Sequence, residues 1–201
     1  RRRWVGPDVP PGTLTSGAEA CRAGVAWRWD GVDFRFLHPP PTAAGGGNDS
    51  SCVLLIAGRG GRTLVSGDIE GPAEARLVAS GIELGADLVI APHHGSRTSS
   101  TAGFVAATAP RWVVVPAGYG NRWGFPAPEV SARWRAVGAR IQVVGEEGAV
   151  EAEFGPAGVV EAPRGWRCAE RRFWRRSACP PRQVPGMNDS QYHAPDPELP
   201  L

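Results

Sequence analysis

Two adjacent histidines, His93 and His94, close the apolar run in VIAPHHGSRTSS, residues 89–100, and small hydroxyl residues follow at once. The chain has only four histidines, so half of them fall in this one turn. Upstream, Asp68 follows Gly67 at the end of another apolar run, TLVSGD. Imidazole and carboxylate are natural ligands of borderline divalent ions such as zinc or manganese. A carboxylate can bridge two such ions, and two ions can clamp the attacking and leaving oxygens of a phosphoryl transfer. Asp68 with one of His93 and His94 supplies part of that donor set. It does not supply all of it, because about three or four protein ligands per ion are usual. No HxHxDH or HxxxH run completes the shell.

Each of these residues also has a plainer reading. Asp68 after Gly67 is an acceptable turn or cap residue. One of the two histidines can be a core residue hydrogen-bonded through its ring. Ser96, Thr98 and Ser99 most simply end a loop and cap the next helix, with Ser99 or Ser100 as the cap. A Ser-His-Asp triad is possible on residue types alone, but no GxSxG elbow carries the serine, which disfavours it. His38 and His193 lie in proline-rich segments and read as surface histidines. Two further polar clusters, Asn48-Asp49 and NRWG at Asn121 to Gly124, also fall where apolar runs begin or end. Strand ends are where α/β proteins place their sites.

The elements that must position these residues follow from periodicity. VAWRWDGVDFRFLHP alternates as a hairpin, with Val25, Trp27 and Trp29 before the Asp30-Gly31 turn and Val32, Phe34 and Phe36 after it. A second hairpin runs from SSCVLLIAG through RGGR to TLVSGD. From Glu70 the spacing becomes helical, through Ala73, Leu77, Val78 and Ile82, and Gly81 and Gly85 mark the end. ADLVIAP predicts a short strand buried on both faces. SSTAGFVAATAP predicts a helix, RWVVVPAG a strand, PEVSARWRAVG a helix ending at Gly138, and RIQVVGEEGAVEAEF two short strands. The fold class is therefore α/β, a mixed sheet with flanking helices. Residues 1–24 read as a linker or displaced edge, 25–161 as the domain, and 162–201 as an Arg-, Trp- and Pro-rich tail, partly disordered.

Composition adds bounds. The 201 residues suit one domain with tails, and the net charge of +2 does not by itself argue for a nucleic-acid partner. All 22 basic residues are Arg, and some of them cluster at the two ends in RRRW and RRFWRR, which first suggests a solvated charge run. No window of about 18 apolar residues can span a membrane, and no signal peptide is visible. The chain begins with Arg1 and reads as a fragment or processed product. Cys21, Cys52, Cys168 and Cys179 lack the CxxC spacing of a structural zinc site. Cys52 reads as a buried thiol, and Cys168 and Cys179 as a pair that could form in an oxidising compartment.

The stretches NDSSCVLLI, TLVSGDIEGPAEARLV, ADLVIAPHHGSRTSSTAGFVAATAPRWVVVPAGYGNRWGFP and RIQVVGEEGAV, led by CRAGVAWRWDGVDFRFLHP, resemble the C-terminal metallo-β-lactamase-like domain of ComEC-type DNA-internalisation competence proteins. The resemblance runs from about Cys21 to Trp174. It implies the C-terminal part of the αββα sandwich of the metallo-β-lactamase superfamily. It also implies Asp68 as the bridging carboxylate, and the late metal ligand at His93 or His94, with His93 favoured. Asn48 and Ser50 fall in the polar loop facing the site, and Ser96 or Asn121 would orient substrate. Two divalent ions, zinc or manganese, are implied for the complete domain. The implied setting is a bacterial inner-membrane protein with this domain on the extracytoplasmic face, working on DNA, with other competence proteins as further candidate partners. Contact with the membrane would come only through upstream segments absent from this sequence.

Two departures from the family pattern stand out. The upstream HxDxDH-type run is absent, and the run that usually reads N-R-Y-G-H-P is NRWGFP, with Phe125 in place of a histidine. The expectation is a metal-dependent phosphodiesterase domain, inactive as this piece. The alternatives are a non-catalytic module contacting DNA or assembling with partners, and a truncated pseudogene product. In the DNA-contacting alternative, Arg164, Arg167, Arg171, Arg172, Arg175 and Arg176, interleaved with Trp166, Phe173 and Trp174, would meet phosphates and bases. A tail that packs its aromatics on the domain is the plainer expectation.

Overall fold

The computed structural model describes residues 3–5, 18–42, 46–155 and 162–169. A seven-stranded sheet organises the chain in the order β3-β4-β5-β6-β7-β8-β9. Its first strands are β3 (Ala26–Trp29), β4 (Val32–His38), β5 (Val53–Gly58) and β6 (Gly61–Val65), which pair antiparallel. From β6 onward the pairing turns parallel through β7 (Leu88–Ile90), β8 (Trp112–Val115) and β9 (Arg140–Val143). Parallel neighbours need a crossover. Here α1 (Gly71–Ala79), α2 (Ala102–Thr108) and α3 (Pro128–Ala136) supply one each. The α/β reading of the sequence is borne out, and both hairpins lie where their alternation places them. Asp30 and Gly31 have φ of 49° and 79°, the left-handed pair that a tight two-residue hairpin requires.

Register assigns the faces. Leu55, Leu64, Val89, Val113 and Ile141 are cross-strand partners in one row over five strands. That row faces the helices and packs with Ala73 and Leu77 of α1, Phe104 and Val105 of α2, and Val130 and Trp134 of α3. Full burial of such side chains stabilises by about 1.5–3 kcal/mol each. On the opposite face Leu88, Trp112 and Val114 pack under Val144, Val150, Ala152 and Phe154. Farther along that face Phe34, Leu54, Ile56 and Val65 are only half-buried.

One buried acid ties the helical layer together. Glu74 on α1 is 0% exposed, and its carboxylate accepts the backbone N–H of Ser100 at 2.5 Å and of Thr101 at 2.7 Å. Burial pushes its carboxyl above the usual range, outweighing these bonds and the nearby Arg133. Arg133 of α3 donates to the carbonyls of Ser99, at 3.1 Å, and of Ser100. The same segment settles the cap of α2. Thr101 caps it by accepting from the Phe104 N–H, in place of Ser99 or Ser100. The Ser99 hydroxyl donates instead to the carbonyls of Pro92 and Ser96, and Ser100 sits at a left-handed φ of 54°.

The segment read as a linker or displaced edge carries β1 (Arg3–Val5) and β2 (Ala18–Ala20), which pair in parallel. A helical turn, α4 (Val144–Glu147), separates β9 from β10 (Val150–Glu151). The start of the tail folds back as β11 (Arg164–Gly165), antiparallel to β10, and as α5 (Trp166–Ala169). There Arg167 donates to the Gly145 carbonyl at 2.8 Å. The remaining tail arginines, Phe173, Trp174, Cys179 and His193 lie outside the described residues. Cys52 is no free thiol: it forms a disulfide with Cys21, with the Cα atoms 6.0 Å apart. His38 is not a surface residue. It is 3% exposed, with Nδ1 3.0 Å from the Ser51 carbonyl oxygen and Nε2 buried without a hydrogen-bond partner. Among the described residues no helix is long and apolar enough to cross a membrane.

Two measurements follow from this interior. A crosslink spanning 31 residues limits the unfolded chain by about 3–4 kcal/mol in the loop-entropy account. Cys52→Ser is therefore expected to lower the urea-unfolding free energy by roughly that amount. Reductant should do the same to the parent chain and nothing to the variant. The second concerns His38, whose pKa burial lowers despite its bond to Ser51, with Arg76 also lowering it and Asp49 opposing. A base held below its unfolded value favours the folded state above that value, about 6.5, and the benefit is lost as pH falls through the folded value. Stability should thus decline from pH 7 towards 5. In His38→Asn the decline should be shallower, and an equal slope in both proteins would refute the assignment.

Candidate functional site

The carboxyl ends of β6, β7 and β8 share one edge of the sheet, and three loops leave from it carrying Asp68, the His93-His94 pair and residues 116–126. Because β5 is antiparallel to β6, the turn Asn48–Ser50 that precedes it reaches the same edge. This is the crevice position at which open α/β sheets bind ligands.

Glycines let these loops close. Gly67 has φ 57°, and a Cβ there would meet the Ser51 Cβ at 2.8 Å. Its carbonyl accepts the His93 N–H at 3.1 Å, which joins the Asp68 loop to the histidine loop. His93 and His94 have φ of 46° and 54°, a left-handed conformation that costs ordinary residues roughly 1–3 kcal/mol each and clusters at functional sites.

The two imidazoles have different partners. His93 Nδ1 lies 3.0 Å from Glu70 Oε1 and 3.3 Å from Thr98 Oγ1, and its Nε2 is 3.5 Å from Asn48 Nδ2. Asn48 and Thr98 both donate to the same Glu70 oxygen, at 3.1 and 3.0 Å. The bond from Asn48 is the main reason that the Glu70 carboxyl is held below its usual range, with Thr98 and His93 adding to it. His94 points the other way. Its Nδ1 lies 2.9 Å from the Pro116 carbonyl oxygen, an acceptor only, so Nδ1 carries the hydrogen. In the neutral ring Nε2 is left with a lone pair; it lies 3.6 Å from Asp68 Oδ1, both side chains being half-exposed. A fixed Nδ1–H and a free Nε2 describe how a carbonyl orients a metal-ligating histidine.

Of the residues expected at the site, the structure brings Asp68 beside His94 and Asn48 beside His93. Ser96 is buried with its hydroxyl 3.0 Å from Thr98 Oγ1, and Ser50 is buried beneath the Asn48 turn. Asn121 is engaged within its own loop. It donates to the carbonyls of Gly118 at 3.0 Å and Phe125 at 2.8 Å, and accepts the Phe125 N–H at 2.8 Å. Phe125 packs edge-on to His93, with centroids 6.2 Å apart. Sequence reasoning misses Glu70 and Thr98 as site residues. The position of Glu70 two residues after Asp68, in GDIEG, is the available signal.

A lone pair facing a carboxylate is a donor set that a proton or a cation can share. Asp68 and His94 nevertheless supply only two donors, and His93 is engaged with Glu70. Among the described residues no group of three or more His, Cys, Asp or Glu side chains is arranged to hold a metal ion. The described residues do not by themselves make a zinc or manganese site.

No family model matches the chain. Against individual proteins, it is 38% identical over 144 residues to Competence protein ComA of Neisseria gonorrhoeae, covering 71% of this chain and 21% of that protein. The chain belongs to the ComEC-type competence proteins. Recombination protein 2 of Haemophilus influenzae is 29% identical over 134 residues, covering 67% of this chain and 17% of that protein. The uncharacterized protein YcaI of Escherichia coli is 28% identical over 155 residues, covering 77% and 20%. The chain thus spans about a fifth of the length of the curated relatives it matches.

The tautomer of His94 can be read directly. Long-range proton–nitrogen correlation spectra above pH 8 should show Nδ1 protonated and Nε2 bare. A dominant Nε2–H form would mean that the Pro116 carbonyl does not orient the ring.

Proposed function

We propose that the chain forms the C-terminal side of a DNA-processing domain in a competence protein, a half-sandwich of metallo-β-lactamase type, and that Asp68 and His94 belong to its phosphodiester site. The observation that carries this reading is the 38% identity to Competence protein ComA over 144 residues. The arrangement of Asp68 and His94 at the sheet's carboxyl edge supports it. His94 is favoured over His93 as the chemically available imidazole, because Nε2 of His94 is free beside Asp68 while His93 is bound up with Glu70 and Asn48. Asn48 keeps a substrate-facing role at the exposed side of His93. Ser50, Ser96 and Asn121 are better read as supports of the loops. Zinc or manganese would need further donors from outside the described residues, so Asp68 and His94 alone do not complete a hydrolytic site.

The half-buried row of Phe34, Leu54, Ile56 and Val65 suits a face on which a second sheet packs, as sandwich architectures require. The Cys21–Cys52 disulfide supports placement in an oxidising compartment, hence on the outer side of the bacterial inner membrane. A second reading, a module that contacts DNA without cleaving it, is favoured by the two-donor set at the site.

The test compares DNA hydrolysis by this chain with that by a full-length competence protein containing it, in zinc or manganese. The chain alone should give none. Asp68→Ala or His94→Ala in the full-length protein should cost roughly 100-fold or more, the scale of disturbed metal sites. Full activity in those variants, or in the chain alone, overturns the catalytic reading. DNA binding without hydrolysis in every form supports the non-catalytic one.

A further inference from the structure

The loop after β8 carries two large aromatic side chains in the open: Tyr119 is 76% exposed and Trp123 is 64% exposed. Folds normally bury such surface, and an exposed aromatic pair marks a contact site more often than a scattered apolar residue does. The rings do not hang on a loose loop. The Asn121 amide bonds the loop to itself at Gly118 and Phe125. Ala127 N–H donates to the Gly95 carbonyl at 2.9 Å, and Gly145 N–H donates to the Ala117 carbonyl at 2.8 Å. A Cβ on Gly95 would meet the Pro126 Cβ at 2.7 Å, so the loop is seated against the histidine turn itself.

Between them lies a pocket of about 550 Å³ walled by His93, His94, Pro116, Trp123 and Phe125. Trp123 and Phe125 are near parallel, 16° apart with centroids 6.2 Å from each other. Cations attend the aromatics: the Arg122 guanidinium lies 4.5 Å from the Trp123 ring centre, and that of Arg167 lies 5.8 Å from Tyr119. An aromatic wall with the Arg122 guanidinium lying over one face of Trp123 is complementary to a ligand that is both flat and anionic.

We propose that Trp123 and Phe125 form a stacking shelf for a nucleobase of single-stranded DNA, with Arg122 meeting the adjoining phosphate. The proposal rests on the DNA reading above and adds to it a place and a strand state. A base must leave its duplex stack to lie on a protein ring, so the shelf takes single strands. The Asn121 amide atoms are engaged within the loop, which leaves ring faces to do the recognising, and stacking of that kind tolerates any base. Because the shelf shares a wall with His93 and His94, a strand resting on it passes the Asp68–His94 pair.

The experiment measures fluorescence anisotropy of three labelled probes at low salt with the whole chain. The probes are a ten-nucleotide oligo(dT), an abasic strand of the same length and a blunt duplex. The expected order is oligo(dT) tightest. Trp123→Ala should weaken oligo(dT) about tenfold or more, the scale of one lost base stack, and leave the abasic strand unchanged. Trp123→Phe should retain most of the affinity. Arg122→Ala should weaken oligo(dT) and abasic strands alike. If oligo(dT) binds equally well to Trp123→Ala, or if the abasic strand loses as much, the shelf is refuted and the DNA reading stands. If no probe binds the unaltered chain, the shelf falls together with DNA contact by this chain.

Discussion

The site depends on a carboxylate that never touches it. Glu74 is sealed inside the helical layer and accepts two backbone N–H groups from the segment that follows the histidine turn. Those donors belong to Ser100, in a left-handed conformation, and to Thr101, the cap of α2. Without an acceptor, two amides would be buried unpaired, at about 1–3 kcal/mol each. Arg133 of α3 holds the carbonyls of the same segment. One short stretch is therefore bonded by all three helices of the layer, and the loop carrying His93 and His94 is anchored at its far end, where α2 begins. The raised carboxyl of Glu74 reflects what this arrangement costs in desolvation.

A turn held so firmly can keep two consecutive histidines in a sparsely populated conformation. Left to local preference, neither residue would stay at positive φ. The conformation sends the two rings to different partners, one to Glu70 and Asn48, the other to Pro116 and Asp68. The pairing of Glu70 with His93 also links the Asn48 turn, because Asp49 accepts the Glu70 N–H at 2.8 Å. Residues 48–50, 67–70, 92–98 and 116–126 thus form a connected network of backbone and side-chain bonds rather than four independent loops.

What is legible in the sequence is whatever short-range pattern determines. The hairpins are legible because alternation and the Asp30-Gly31 turn act within a few residues, and α1 and α3 because their apolar spacing is local. The placement of Asp68 and the histidine pair at strand ends is legible for the same reason. The contacts across 22 to 31 residues are not: Glu70 with Asn48, Glu74 with Ser100, and Cys21 with Cys52. The α2 cap is ambiguous for a subtler reason. Ser99, Ser100 and Thr101 are all competent caps by type, and the choice among them is made by Glu74 and by the backbone at Ser100. His38 reads as a surface residue because its neighbours Pro39, Pro40 and Pro41 suggest an exposed loop, whereas β4 carries it under the Cys52 end of β5.

Phe125, where the resemblance implies a histidine, ties the proposed chemistry to the proposed shelf. A histidine there would stand within reach of His93 and add a polar donor to the opening. Phenylalanine instead meets His93 with a ring edge and lies near parallel to Trp123, which turns the wall of the pocket from a hydrogen-bonding surface into a stacking one. Together with Asn121, whose amide is engaged in the loop, this leaves the β8 side of the opening largely apolar and the β6 side, with Asp68 and Glu70, anionic. Such a division suits a strand that keeps both its base and its phosphate on the β8 side, where Arg122 lies at Trp123. Two carboxylates facing a phosphodiester are repulsive unless positive charge intervenes, and of that charge the proposed shelf supplies only Arg122. That electrostatic requirement, more than the missing motif, is the physical reason to regard Asp68 and His94 as one side of a site rather than the whole of it.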